Sequence, residues 1–124
     1  VGDADAARVL QRLVAERFID DSRYASAFVR EKINLSGWGV YKITAALRKK
    51  GIDSAIIADA IAENGNVDMS ERLTQLLERK VKTTKAKSPA DLRAKLFRYA
   101  ASQGYDFSTA KRCVERVVKS DEEW

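Results

Sequence analysis

Apolar residues along this chain recur every three or four positions between short glycine-bearing junctions, which is the period of amphipathic helices. The clearest stretch, Phe18 to Ile61, holds three such patterns. Ser36-Gly37-Trp38-Gly39 separates the first two, with glycines that accept backbone angles other residues resist. At the second junction, Gly51-Ile52-Asp53, glycine is expected to end one helix in a left-handed conformation and aspartate to cap the next. The predicted unit is helix, turn, helix, turn, helix.

In chain order, Asp3 to Arg17 carries Val9, Leu10, Leu13 and Val14 as one helical stripe. Phe18-Ile19 reads as an apolar corner, with Asp20 or Asp21 capping a helix from about Ser22 to Leu35. Tyr24, Ala27, Phe28 and Ile33 are its expected inward residues. A helix from Val40 turns Ile43, Ala46 and Leu47 inward, and the next uses Ile56, Ile57, Ala60 and Ile61 and stops at Asn64-Gly65. Asp68-x-x-Glu71 has the spacing of a capping box, followed by Leu73, Leu76, Leu77 and Val81 at helical intervals. Lys82 to Lys87 lacks apolar anchors and reads as a mobile basic linker. Ser88-Pro89 restarts a helix with Leu92, Leu96 and Tyr99 inward; after Gly104-Tyr105-Asp106 a last helix carries Ala110, Val114 and Val117. The tail from Ser120 is acidic and expected to fray.

The two glycine-aspartate junctions stand 53 residues apart. At that offset Ile57 meets Ala110, Ala60 meets Cys113 and Ile61 meets Val114, so the inward stripe is preserved. Cys113 is therefore expected in a core rather than as a reactive thiol. The fold class that follows is all-α, with tandem three-helix repeats stacked into an elongated, curved array. The expected divisions are residues 1–17 as the terminal helix of a truncated first repeat, 18–66 as a second and 67–124 as a third with a basic linker at about 82–88. Truncation would expose an edge at Val9, Leu10 and Leu13.

Composition agrees with helix: 45% of the 124 residues are hydrophobic, 33% are charged, and proline occurs once. A lone cysteine permits no disulfide within the chain, and no apolar run approaches the roughly 18 residues of a membrane helix. A soluble, cytoplasmic protein without membrane contact is expected. The net charge of +5 fits an acidic partner, and its excess is concentrated at Arg79, Lys80, Lys82, Lys85 and Lys87. With no histidine, a core-register cysteine and no phosphate-loop pattern, neither an enzyme nor a cofactor or metal site is expected.

Phe-Ile-Asp-Asp-Ser-Arg-Tyr-Ala at 18–25, Phe28-Val29, Gly37-Trp-Gly39 with Lys42-Ile43, Leu47, and Lys50-Gly51-Ile52 resemble the RecX family of recombinase regulators. The resemblance is strong from about Leu10 to Ala62 and looser from Asp68 to Lys119. Two positions depart from the family pattern: Val40 replaces a usual proline and Arg17 a usual glycine. The resemblance implies a small repeat protein with no catalytic group that binds the RecA recombinase, lies along the groove of its nucleoprotein filament and inhibits its ATPase, strand-exchange and coprotease activities. It also implies a fuller first repeat.

Partner contacts are expected at Arg23, Arg30, Lys32, Lys42, Arg48, Lys49 and Lys50, with Trp38 and Tyr41 as aromatic anchors. The run Arg79, Lys80, Lys82, Lys85 and Lys87 would serve as an electrostatic arm. An alternative is sequence-independent DNA binding without RecA, with single-stranded DNA as the partner. A monomer is expected at full length.

Overall fold

The computed structural model describes residues 3–64 and 69–120, which form six helices and no strand. They are α1 (Asp3–Glu31), α2 (Val40–Lys49), α3 (Ser54–Asn64), α4 (Met69–Thr83), α5 (Pro89–Ser102) and α6 (Phe107–Ser120). The helical repeat array expected from the sequence is present. Gly65, the Asp68 end of the capping box and the tail beyond Ser120 lie outside the described residues.

The corner expected at Phe18-Ile19 does not form, because α1 runs straight through it. Between Asp3 and Glu31 there is no glycine or proline to stop propagation. Asp21, instead of capping a new helix, lies 3.9 Å from the Arg17 guanidinium one turn back, and Asp20 is exposed. Two buried ladders set the register: Ala25 and Val29 stand 48 residues before Leu73 and Leu77. In that register Arg17 occupies the place that Gly65 takes after α3. Arginine is a good helix former, so the helix propagates through this position.

The inward face of α1 also differs from expectation. Ala25 and Val29 are fully buried, Phe28 is half-buried, and Tyr24 and Ala27 are exposed, while Ile33, just beyond the helix, is buried as expected. Ala25 and Val29 are small enough for α1 to lie close against α3, which leaves the rings at the rim. These residues join Ile43, Leu47, Ile52, Ile56, Ile57 and Ala60 in one core. A second core gathers Leu73, Leu77, Leu92, Leu96, Ala100, Tyr105, Ala110, Cys113, Val114, Val117 and Val118, and Met69 touches both. The Cys113 thiol donates to the Ser70 carbonyl at 3.3 Å within this core. Along the first half of α1, Val9, Leu10, Leu13, Val14, Phe18 and Ile19 are exposed.

Local signals set the remaining ends. Ser88 Oγ accepts from Asp91 N–H at 3.1 Å, with Pro89 in the first turn, while the Asp91 carboxylate accepts from Lys87 N–H at 3.0 Å. The segment expected as a mobile linker is tied down. Lys82 and Thr83 belong to α4, Thr84 Oγ1 donates to the Lys80 carbonyl at 2.6 Å, and Ala86 rests on the second core.

The paired glycine turns end their helices with the same bonds. Ile52 N–H donates to the Leu47 carbonyl at 3.1 Å and Tyr105 N–H to that of Ala100 at 3.2 Å, with φ of 85° at Gly51 and 96° at Gly104. Asp53 and Asp106 then accept from Ala55 N–H and Thr109 N–H.

The second of these turns locks the two cores together. Gly39 N–H donates to the Gln103 carbonyl at 2.7 Å and Tyr41 N–H to the Gly104 carbonyl at 3.0 Å, so the C-terminal end of α5 satisfies donors at the N-terminus of α2. A Cβ at Gly39 would lie 2.5 Å from the Gly104 carbonyl, so only glycine permits this approach. Tyr105 Oη donates to the Gly37 carbonyl at 3.1 Å, and the Arg72 guanidinium donates to the Asn34 carbonyl.

Candidate partner-binding site

The segment between α1 and α2 builds the most distinctive surface. After Glu31 the helix widens into a π turn over Lys32–Ser36, which Gly37 closes in a left-handed conformation. Trp38 N–H reaches back to the Lys32 carbonyl at 2.9 Å, while the Gly39–Gln103 bond pins the far side of the turn. The indole is thereby held half-buried, edge-on to Phe28 with ring centres 6.1 Å apart.

Two ammonium groups bear on that one indole: Lys32 Nζ lies 4.7 Å and Lys42 Nζ 4.5 Å from its centre. Lys32 also lies 5.4 Å from the Phe28 ring, and Lys42 donates to Gln103 Oε1 at 3.1 Å. The aromatic line continues to Tyr24, whose ring is 6.0 Å from Phe28, and Lys50 Nζ stands 5.9 Å from it. Tyr24, Phe28 and Trp38 with Lys50, Lys32 and Lys42 thus form one strip. Of the sequence-derived contact residues, Lys32, Trp38, Lys42 and Lys50 come together here.

The others are distributed elsewhere. Arg30 is exposed on α1 and directs Nε toward Asn64 Oδ1 at 3.4 Å, and Arg23 and Lys49 are exposed. Tyr41 is 64% exposed beside Val40 and the Gly104-Tyr105 turn. Arg48 borders a separate groove between α2 and α3 with Thr44, Ser54 and Ala58. In the second half, Lys80 Nζ lies 4.9 Å from the Tyr99 ring, Arg79, Lys82, Lys85 and Lys87 are exposed, and the Lys85 carbonyl accepts from Lys95.

Sequence reasoning assigned Tyr24 and Phe28 to the core. The available signal was the i, i+4, i+8 spacing of Tyr24, Phe28 and Lys32, which stacks two rings and a cation on one helix face. Gln103 was legible only through the fold, since it lies 61 residues beyond the lysine it meets.

Among the described residues no ion pair neutralises Lys32, Lys42 or Lys50; Arg17 pairs with Asp21 and Lys95 with Asp91, away from the strip. With both lysines within 5 Å of one ring centre, their ammonium groups are less than about 10 Å apart, within a Debye length at 0.1 M salt. Such a pair gains by receiving an anion. Under the strip, burial pushes the Tyr105 phenol up to about 12, so it remains a neutral donor to Gly37. Among the described residues no group of three or more His, Cys, Asp or Glu could hold a metal ion, and no helix is long and apolar enough to cross a membrane.

Comparison with known proteins places this geometry in a family. Residues 20–61 match the family model described as RecX, second three-helix domain, and residues 67–114 match RecX, third three-helix domain. The chain is 29% identical over 125 residues to a protein named Regulatory protein RecX from Bacillus mycoides, covering 99% of this chain and 46% of that one. It is 30% identical over 106 residues to the Regulatory protein RecX of Finegoldia magna, covering 84% of this chain and 52% of that one. It therefore spans about half the length of these curated relatives. The crystal structure of RecX from Lactobacillus salivarius shares the fold, with a TM-score of 0.75 and 22% identity over 94% of this chain and 76% of that one.

Proposed function

The chain belongs to the RecX family of regulatory proteins, and from that premise we propose that it binds the RecA nucleoprotein filament and inhibits its ATPase, recombinase and coprotease activities. The observation that supports this reading is the convergence of Lys32 and Lys42 on Trp38, a rigid cationic strip with an aromatic anchor. A filament that carries DNA phosphates in its interior offers the complementary charge. Its repeat of protomers suits a repeat of helical units, each contributing a modest contact that the others reinforce. In this reading residues 18–66 and 67–124 are successive units and residues 1–17 belong to an earlier one. Arg23, Arg30, Tyr41, Arg48, Lys49 and Lys50 extend the contact, with the Arg79 to Lys87 cations as a second electrostatic patch. The protein acts in the cytoplasm as a monomer at full length, without a cofactor and without catalysis of its own.

The test is the DNA-dependent ATP hydrolysis of RecA titrated with this chain, alongside co-sedimentation with the filament. Trp38→Ala, and Lys32→Glu with Lys42→Glu, should each weaken inhibition by about tenfold or more while helical content by circular dichroism is unchanged. A folded chain that neither sediments with the filament nor slows hydrolysis would refute the reading. The same lysine-aromatic strip also favours direct, sequence-independent contact with single-stranded DNA. That contact would persist without RecA and weaken steeply with salt.

A further inference from the structure

A groove recurs at the same place in both units, and the two copies differ in a way that folding does not require. In the first unit it runs between α2 and α3 and is lined by Thr44, Ser54, Ala58, Ile61 and Ala62. At the offset of 53 residues, the α5–α6 groove presents Phe97, Phe107, Lys111, Val114 and Glu115 instead. The first unit folds with threonine, serine and alanine where the second has two phenylalanines and a lysine. Phe107 is 68% exposed, so its ring adds little to the core. Phe97 meets it edge-on with ring centres 5.2 Å apart, and together they floor a cavity of about 420 Å³. Arg93, Arg98 and Lys111 also line it, against the single acid Glu115.

We propose that this α5–α6 groove docks an acidic peptide segment carrying a bulky apolar side chain. The apolar side chain fills the floor between Phe97, Phe107 and Val114, and its flanking carboxylates meet Arg98 and Lys111. Exposed aromatics surrounded by cations are the usual anchors of such interfaces. A nucleic acid fits less well, because the edge-on rings offer no parallel platform for successive bases and Glu115 opposes a run of phosphates. The inference is independent of the filament reading, since α5 and α6 alone build the groove.

The probe is a fluorescein-labelled synthetic peptide of Asp and Glu residues around one Trp and one Leu, followed by fluorescence anisotropy with the whole chain. Phe107→Ser combined with Lys111→Ala places the first unit's residues in the second, so the fold has a precedent for both. This variant should bind at least about tenfold more weakly, and Lys111→Glu alone should show the same direction. A control peptide with Lys in place of the acids should not bind. The proposal is overturned if the acidic peptide does not bind, if the double variant keeps full affinity, or if an oligothymidylate binds the same residues more tightly than the peptide does.

Discussion

At the scale of the residue, Gly51 and Gly104 separate local conformation from tertiary contact. Both adopt left-handed φ at the end of a helix, and both were recognisable as helix terminators. Their surroundings were not legible, because they depend on what the rest of the fold brings near. A Cβ on Gly51 would meet nothing within 4 Å, whereas one on Gly104 would lie 2.5 Å from Lys42 Cβ. Gly51→Ala should therefore cost only the backbone strain, about 1–2 kcal/mol. Gly104→Ala should add a clash with the neighbouring unit and lose about 3 kcal/mol or more. Urea unfolding of the two variants measures the difference, and equal losses would show that the inter-unit contact contributes nothing.

Among the elements, α1 departs furthest from the sequence reading, and one position accounts for it. Helical periodicity is legible on either side of Phe18, but the apolar corner and two aspartates between the stripes mimic a boundary. Caps stabilise a helix start only where the preceding helix has ended, and nothing between Asp3 and Glu31 ends it. Arg17→Gly restores the residue found at the corresponding place after α3. It should weaken α1 by about 1 kcal/mol and raise amide hydrogen exchange in residues 5–16 while leaving residues 25–31 protected. Unchanged exchange across Arg17 would mean that packing rather than propensity keeps the helix whole. By contrast, Ser88-Pro89 and Asp106 worked as read, because a cap and its helix lie within four residues and need no partner from elsewhere.

For the whole molecule, the decisive feature is the junction where the α5 end meets the α2 start. Tyr105 is its buried polar pin, donating to Gly37 across 68 residues of chain. Burial raises its pKa from 10 to about 12, so the folded state favours the neutral phenol. This stabilisation is complete below pH 10 and is lost as pH rises toward 12. Replacing Tyr105 with Phe should cost about 1 kcal/mol near pH 8 through the lost hydrogen bond. That gap should then close and reverse in sign between pH 10 and 12, because phenylalanine has no proton to lose. Unfolding both proteins in urea across this range gives the answer, and a constant gap would place the phenol in contact with solvent.

Helices, their terminators, the 53-residue repeat and most of the buried stripe were determined by sequence alone, since each arises from interactions within a turn or two of chain. The face of α1 that turns inward and the meeting of Lys32 and Lys42 over Trp38 were decided by tertiary structure. Periodicity specifies a stripe but not which edge of it a neighbour covers. That choice belongs to close packing, where Ala25 and Val29 admit α3 and leave the rings outside.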